Sequence, residues 1–143
     1  MKKPWGSVLL GTVVAAALTG CTAAPSPFDG ARDEPDELPA VASSVLEGAD
    51  PATSRYQGQV DGYNLYLVDG EGPIGFCLVY TDGTAEHSGS SCSGGDWLET
   101  TVEAGPSFRI QLKGFTDRPG NGEADLSRWV RRLAIGTAPS AGE

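Results

Sequence analysis

The chain has 143 residues with 10 basic and 19 acidic side chains, a net charge of −9, and 20 glycines, 10 prolines, three cysteines and one histidine. That length supports a single modest core, and the acidic balance argues against a nucleic-acid partner, because phosphate binding rests on Lys and Arg neutralising charge. One histidine, with no C-x-x-C pair, leaves too few ligands for a metal centre, and no cofactor is expected.

Lys2 and Lys3 precede an uncharged run from Pro4 to Gly20, apolar from Val8 to Leu18, which ends in Leu18-Thr19-Gly20-Cys21. A basic start, an apolar stretch and small residues describe an export signal. The ending resembles a bacterial lipoprotein signal. That resemblance implies a signal peptide over residues 1–20, cleavage before Cys21, a thioether-linked diacylglyceryl group on Cys21 and often acylation of the new amino terminus with a fatty acid such as palmitate. It places the protein at the outer face of the cell membrane, held by lipid. The alternative is an uncleaved anchor, but 17 residues diluted by Gly6, Gly11, Thr12, Thr19 and Gly20 sit at the lower limit for a spanning helix. Two or three acyl chains hold firmly, since each buried methylene contributes about 0.8 kcal/mol. Loss of residues 1–20 removes two lysines and no acid, leaving 8 basic and 19 acidic side chains, net −11. Such a chain gains no attraction from anionic headgroups, so lipid alone must carry membrane association.

From Thr22 to Ala40 the sequence is rich in Pro, Ala and acid, with Phe28 and Leu38 its only large apolar residues. It reads as an extended tether over 21–40, kept open by repulsion among Asp29, Asp33, Glu34, Asp36 and Glu37. A single domain is expected over 41–137 and a disordered tail over 138–143. Leu38, Val41, Val45 and Leu46 follow helical spacing with Gly48 as a stop, which predicts a short helix of about two turns. Next come Arg55–Val60 and Tyr63–Val68 around Asp61-Gly62, a hairpin signal because a type I′ turn needs positive φ at both central residues. Phe76–Tyr80 is uninterruptedly apolar and predicts a central strand covered on both faces.

Asp82–Gly95 is Gly- and Ser-rich and reads as a long loop containing His87. Trp97–Val102 and Phe108–Phe115 predict a second hairpin across Ala104-Gly105-Pro106, its second strand alternating Phe108, Ile110, Leu112 with Arg109, Gln111, Lys113. Leu126, Trp129, Val130 and Leu133 lie on one helical stripe behind Asp125 as N-cap, so a C-terminal helix is expected, with a strand over Trp129–Ile135 as the runner-up. The predicted class is mainly β, with α+β as the variant: a small antiparallel sheet of about five strands, one or two short helices and one disulfide. With Cys21 assigned to lipid, Cys77 and Cys92 remain in an oxidising compartment and pair, tying the far end of the loop to the central strand.

Asp50-Pro51-Ala52-Thr53-Ser54-Arg55-Tyr56-Gln57-Gly58, then Asp61-Gly62, Tyr66-Leu67 and Cys77-Leu78-Val79, with Cys92 in a Gly/Ser-rich segment, resembles small envelope proteins of high-GC Gram-positive bacteria. The resemblance spans most of the folded part and implies a fold and a compartment rather than an activity. Three constellations invite chemistry. His87 with Asp82, Asp96 and Ser88, Ser90, Ser91 suggests a small hydrolase, yet no G-x-S-x-G elbow is present and all would share one loop. Asp117–Asp125 places oxygens at positions one, five, seven and nine of an EF-hand-like loop but fails at three, Pro119, and twelve, Arg128, and reads as a solvated turn. Arg128, Arg131 and Arg132 are the one basic cluster: a solvated helix face, a counter-charge for the acidic surface, or a contact for an anionic wall polymer. Tyr56, Tyr63, Tyr66, Tyr80 and Trp97 are core residues or, if they share a sheet face, a surface for sugars or a partner. The expected function is a non-catalytic, lipid-anchored interaction domain that contacts an envelope protein or cell-wall component, with the His87 hydrolase as the alternative.

Overall fold

A computed structural model of the chain describes residues 25–113 and 123–134. The signal segment, Cys21, most of the Asp117–Asp125 loop and the 138–143 tail lie outside the described residues. Strands β1 (Arg55–Val60), β2 (Tyr63–Asp69), β3 (Phe76–Thr81) and β4 (Gly89–Ser93) form one antiparallel sheet in that order. Strands β5 (Trp97–Thr101), β6 (Ser107–Leu112), β7 (Ala124–Asp125) and β8 (Val130–Arg132) form a second, ordered β5-β6-β8-β7. A single helical turn, α1 (Ala40–Ser43), and 3₁₀ turns at Glu34–Asp36 and Pro51–Thr53 precede them. The mainly β, antiparallel, disulfide-bonded class is what the sequence predicts, although the described strands number eight in two sheets rather than about five in one.

Local backbone demands explain both predicted hairpins. Asp61 and Gly62 hold φ of 51° and 84°, and Val60 pairs with Tyr63 to close the β1–β2 turn. Ala104 takes φ of 53° in the β5–β6 turn, where the Val102 amide donates to Pro106 O at 3.0 Å. β2 and β3 are interior strands buried on both faces. Their inward residues Leu65, Leu67, Phe76 and Leu78 meet Leu98, Phe108, Ile110 and Val130 of the second sheet, which makes the main core. Their outward residues Tyr66, Val68, Cys77 and Val79 are covered by Leu38, Ala42 and Ala49 of the N-terminal segment, a second core. The molecule is thus three layers: segment, sheet, sheet.

Three expectations are corrected. First, the Gly/Ser-rich loop is not all loop, because Gly89–Ser93 pairs with β3 as the edge strand β4. Small residues suit the site: the Tyr80 ring lies so close over Gly89 that a Cβ there would overlap it, and Ser90 Oγ donates to Val45 O at 2.9 Å. The Cys77–Cys92 disulfide therefore joins directly opposed residues of neighbouring strands, Cα atoms 4.0 Å apart, instead of tying down a distant loop end. Second, the expected C-terminal helix is a hairpin, closer to the runner-up strand. Leu112, Gln111 and Ile110 of β6 need ladder partners and find them in Val130, Arg131 and Arg132. Ser127 Oγ accepts from the Trp129 and Val130 amides, both at 3.0 Å, to shape the turn, and Asp125 pairs across from Arg131 in β7 instead of capping a helix.

Third, the tether reading fails for most of its length. Phe28 packs against the main core and Leu38 is buried. Arg55 Nη2 donates to the carbonyls of Phe28 and Gly30 at 2.9 and 3.0 Å, and Arg32 reaches Ser54 Oγ at 2.7 Å and the Asp36 carbonyl at 3.2 Å. Buried Ser54 donates in turn to that same carbonyl at 2.6 Å. Two arginines thereby fasten an acidic strip whose composition alone predicts disorder. The expected helix over Leu38–Leu46 likewise shrinks to the one turn at Ala40–Ser43.

The Cys77–Cys92 bond closes a short loop and sits in the outer core, so Cys77→Ala with Cys92→Ala should lower stability by about 2–5 kcal/mol and the melting temperature by more than about ten degrees. Thermal unfolding of the double variant checks the magnitude. Thiol titration of unfolded, unreduced wild-type protein should find neither cysteine reactive.

Candidate functional site

The predicted site residues do not converge. Cys77 is fully buried and bonded to exposed Cys92. The three arginines are spread over β8 and its turn, two of them against acids and one over an aromatic ring. Arg132 reaches Asp61 at 2.9 Å, Arg131 lies 3.5 Å from Asp125 and 3.6 Å from Glu123, and the Arg128 guanidinium sits 4.6 Å over the Trp129 ring. Lys113 also holds Asp125 at 2.7 Å. Lys113 first, then Arg131, lowers the Asp125 carboxyl below its ordinary range. Arg131 and Arg132 thus serve as counter-charges inside the domain, the second of the three readings of that cluster, instead of standing ready for an anionic polymer.

His87 finds the carboxylate that the sequence suggests, and among the described residues its ring makes no hydrogen bond to a serine hydroxyl. Its Nδ1 lies 2.7 Å from Asp82 Oδ2, and the ring borders a shallow cleft of about 190 Å³ with Glu86, Glu103 and Ala104. Asp82 Oδ1 also accepts from the Thr84 hydroxyl at 2.7 Å and the Thr84 amide at 2.9 Å. The neighbouring serines are engaged elsewhere: Ser88 Oγ with Thr81 Oγ1 at 2.6 Å, and Ser90 Oγ with Val45 O. A serine that already donates its proton to a carbonyl is not activated by a histidine.

The aromatic residues separate by face. Tyr63, Tyr80 and Phe108 form an edge-to-face cluster in the main core, with ring centres 5.7–6.3 Å apart. Tyr56 and Tyr66 lie on the opposite face, directly paired across β1 and β2, with ring centres at 5.4 Å and planes tilted by 57°. A bulge after Tyr56 turns Gln57 inward to accept from Ser127 Oγ at 2.6 Å and leaves Tyr56 36 % exposed. Above the two rings sits Pro35. Its 3₁₀ turn is fixed by Asp36, whose carboxylate accepts from the Tyr56 amide at 2.8 Å and the Asp33 amide at 2.9 Å.

Pro35, Tyr56, Asn64 and Tyr66 enclose a cleft of about 180 Å³. Tyr66 is 6 % exposed, and burial first, then the neighbouring Tyr56 phenol, raises its hydroxyl above the ordinary tyrosine range, so it is a neutral phenol at physiological pH. Among the described residues that hydroxyl has no hydrogen-bond partner. Asn64 Oδ1 accepts from Tyr56 Oη at 3.3 Å. The Tyr66 hydroxyl opens to solvent, and a polar group without a protein partner in a cleft flanked by two aromatic rings is accessible to a ligand. A second, wider groove of about 480 Å³ runs between edge strands β4 and β5, bordered by Cys92, Trp97 and Glu99. Sequence reasoning singles out Tyr56 and Tyr66 as aromatic but misses Pro35 and Asn64. Strand alternation places Asn64 and Tyr66 on one face, whereas Pro35 arrives only through the docked segment.

No protein-family model, curated protein or solved structure matches the chain.

Thr84, ahead of His87, lowers the Asp82 carboxyl to about 2. A depressed folded value means that the contribution of Asp82 to stability is present above its unfolded value near 4 and is lost as pH falls through about 2. Carboxyl NMR titration should show that low midpoint, and Thr84→Ala should move it up towards the ordinary aspartate value.

Proposed function

We propose that this chain is a lipid-anchored, extracytoplasmic binding domain at the outer face of the cell membrane, with an envelope protein or wall component as its partner. The observation that carries the reading is the bond between Cys77 and Cys92. It occupies two of the three cysteines and leaves Cys21, directly after Leu18-Thr19-Gly20, as the one thiol free for lipid. A structural disulfide also fits an oxidising, exported location. The Tyr56–Tyr66 cleft supports recognition over chemistry, because a proline, an amide and two phenols, that of Tyr66 raised above its ordinary range, offer shape and hydrogen bonds.

The docked N-terminal segment bears on how the domain is presented. Four residue steps separate Cys21 from Pro25, where the described chain begins, and they span at most about 14 Å. A lipid on Cys21 would hold the domain close to the bilayer, not tens of ångströms away as a free tether over 21–40 implies. With net −11 after processing, the domain is repelled by anionic headgroups at that range. The anchor works against that repulsion.

Metabolic labelling with a fatty-acid probe tests the anchor. Wild type should incorporate the probe and Cys21→Ser should not, accumulating instead as the unprocessed precursor. Equal labelling of the two would overturn the assignment.

A further inference from the structure

We propose that the Tyr56–Tyr66 cleft receives a cationic side chain, an arginine above all, from a basic segment of a partner protein. The proposal rests on the binding reading above and names the chemistry of its ligand. Three features of the cleft converge. Its walls are two aromatic rings, one of them exposed, and their faces attract a cation through the ring quadrupole. Its available polar groups include acceptors: the Tyr66 hydroxyl, which opens to solvent at the tip of a residue otherwise 6 % exposed and has no partner among the described residues, and Asn64 Oδ1, with one long hydrogen bond. A guanidinium carries donors only and matches acceptors of that kind. Its rim is acidic, because Pro35 is flanked by exposed Glu34 and by Asp36, whose carboxylate lies against the Tyr56 amide, while no Lys or Arg lines the recess.

The charge of the whole chain, −9, extends the same preference over longer range and draws basic segments in. An anionic wall polymer meets the opposite field. A neutral sugar is disfavoured by geometry: pyranose rings stack on a broad, flat aromatic face, and here the two rings are tilted by 57° with only Tyr56 exposed. A second copy of the chain carries the same net charge and is repelled.

The test uses the full-length protein in detergent micelles, with tyrosine rings isotopically labelled, and three probes: a capped Gly-Ser-Arg-Ser-Gly peptide, its citrulline counterpart, which keeps the shape of arginine without the charge, and N-acetylglucosamine, a neutral sugar. The arginine peptide should shift the Tyr56 and Tyr66 ring resonances saturably, and citrulline should bind at least about tenfold more weakly. Tyr56→Ala should weaken arginine binding about five- to tenfold, and Tyr66→Phe, which removes one oxygen and leaves the packing, about threefold or more. Melting temperatures of both variants establish that the fold is retained, and Tyr66→Phe keeps the test valid if Tyr56→Ala unfolds. Equal affinity for arginine and citrulline, or arginine affinity unchanged in both variants, would overturn the cationic ligand. N-acetylglucosamine shifting the rings while the peptides do not would overturn it too, and leave the cleft as a contact site for wall sugars. Silence from all three probes would sink both the ligand and the cleft as a binding surface.

Discussion

The β2–β3 ladder is buried on both faces, and the rest of the molecule is arranged to cover it. Two strands from the middle of the chain put Leu65, Leu67, Phe76 and Leu78 on one side and Tyr66, Val68, Cys77 and Val79 on the other. One face alone could be satisfied by a second sheet, and β5, β6 and β8 supply it. The other face needs a further layer, and among the described residues the N-terminal segment provides it, acidic and proline-rich as it is. At roughly 1.5–3 kcal/mol for each large apolar side chain fully buried, leaving that outer face wet would remove a large part of the net stability of a domain this small. The ordering of residues 28–49 follows from this need more than from any propensity of their own.

What was legible in the sequence was whatever the local backbone dictates. Asp61-Gly62 specifies a turn because few residues accept its dihedral angles, and the apolar run at Phe76–Tyr80 specifies double-sided burial because nothing else tolerates it. Illegible elements are those whose cause is distant in the chain. β4 has no strand-forming residues; it is a strand because β3 offers an open edge and Tyr80 requires a glycine beneath it. Leu126, Trp129, Val130 and Leu133 satisfy a helical stripe, but β6 needs hydrogen-bonding partners more than those residues need a helix. The acidic strip reads as disordered until Arg55 is seen to bond its carbonyls from outside it and Arg32 to reach out of it to Ser54. The same division holds at the cleft, where strand pairing brings two tyrosines together and a remote proline completes the wall.

Charge in this domain is organised in two tiers. Most described cations face carboxylates on the second sheet or carbonyls of the N-terminal segment, so they are spent inside the protein. The excess is acid, and it is displayed outward. The surface that a partner meets is consequently more uniformly negative than the composition suggests, and the aromatic recess between Pro35 and Tyr66 is a break in that field where contact can be close.

If a lipid holds the chain by its N-terminus, as proposed, the two arginine clasps also set its mechanics. Tension entering at Pro25 meets the Arg55 bonds to Phe28 and Gly30, then the Arg32–Ser54 contacts, before it reaches any strand. These exposed or part-buried side-chain bonds, with the one apolar contact of Phe28, yield sooner than a fully buried ladder, so the strip from 25 to 37 would peel first. Its release would lengthen the connection by about 40 Å at roughly 3.3 Å per residue and would carry Pro35 away from the tyrosines. With that anchor and ligand, a strap that is also a wall of the recess would couple extension to occupancy: load would open the cleft, and a ligand lodged beneath Pro35 would resist the load.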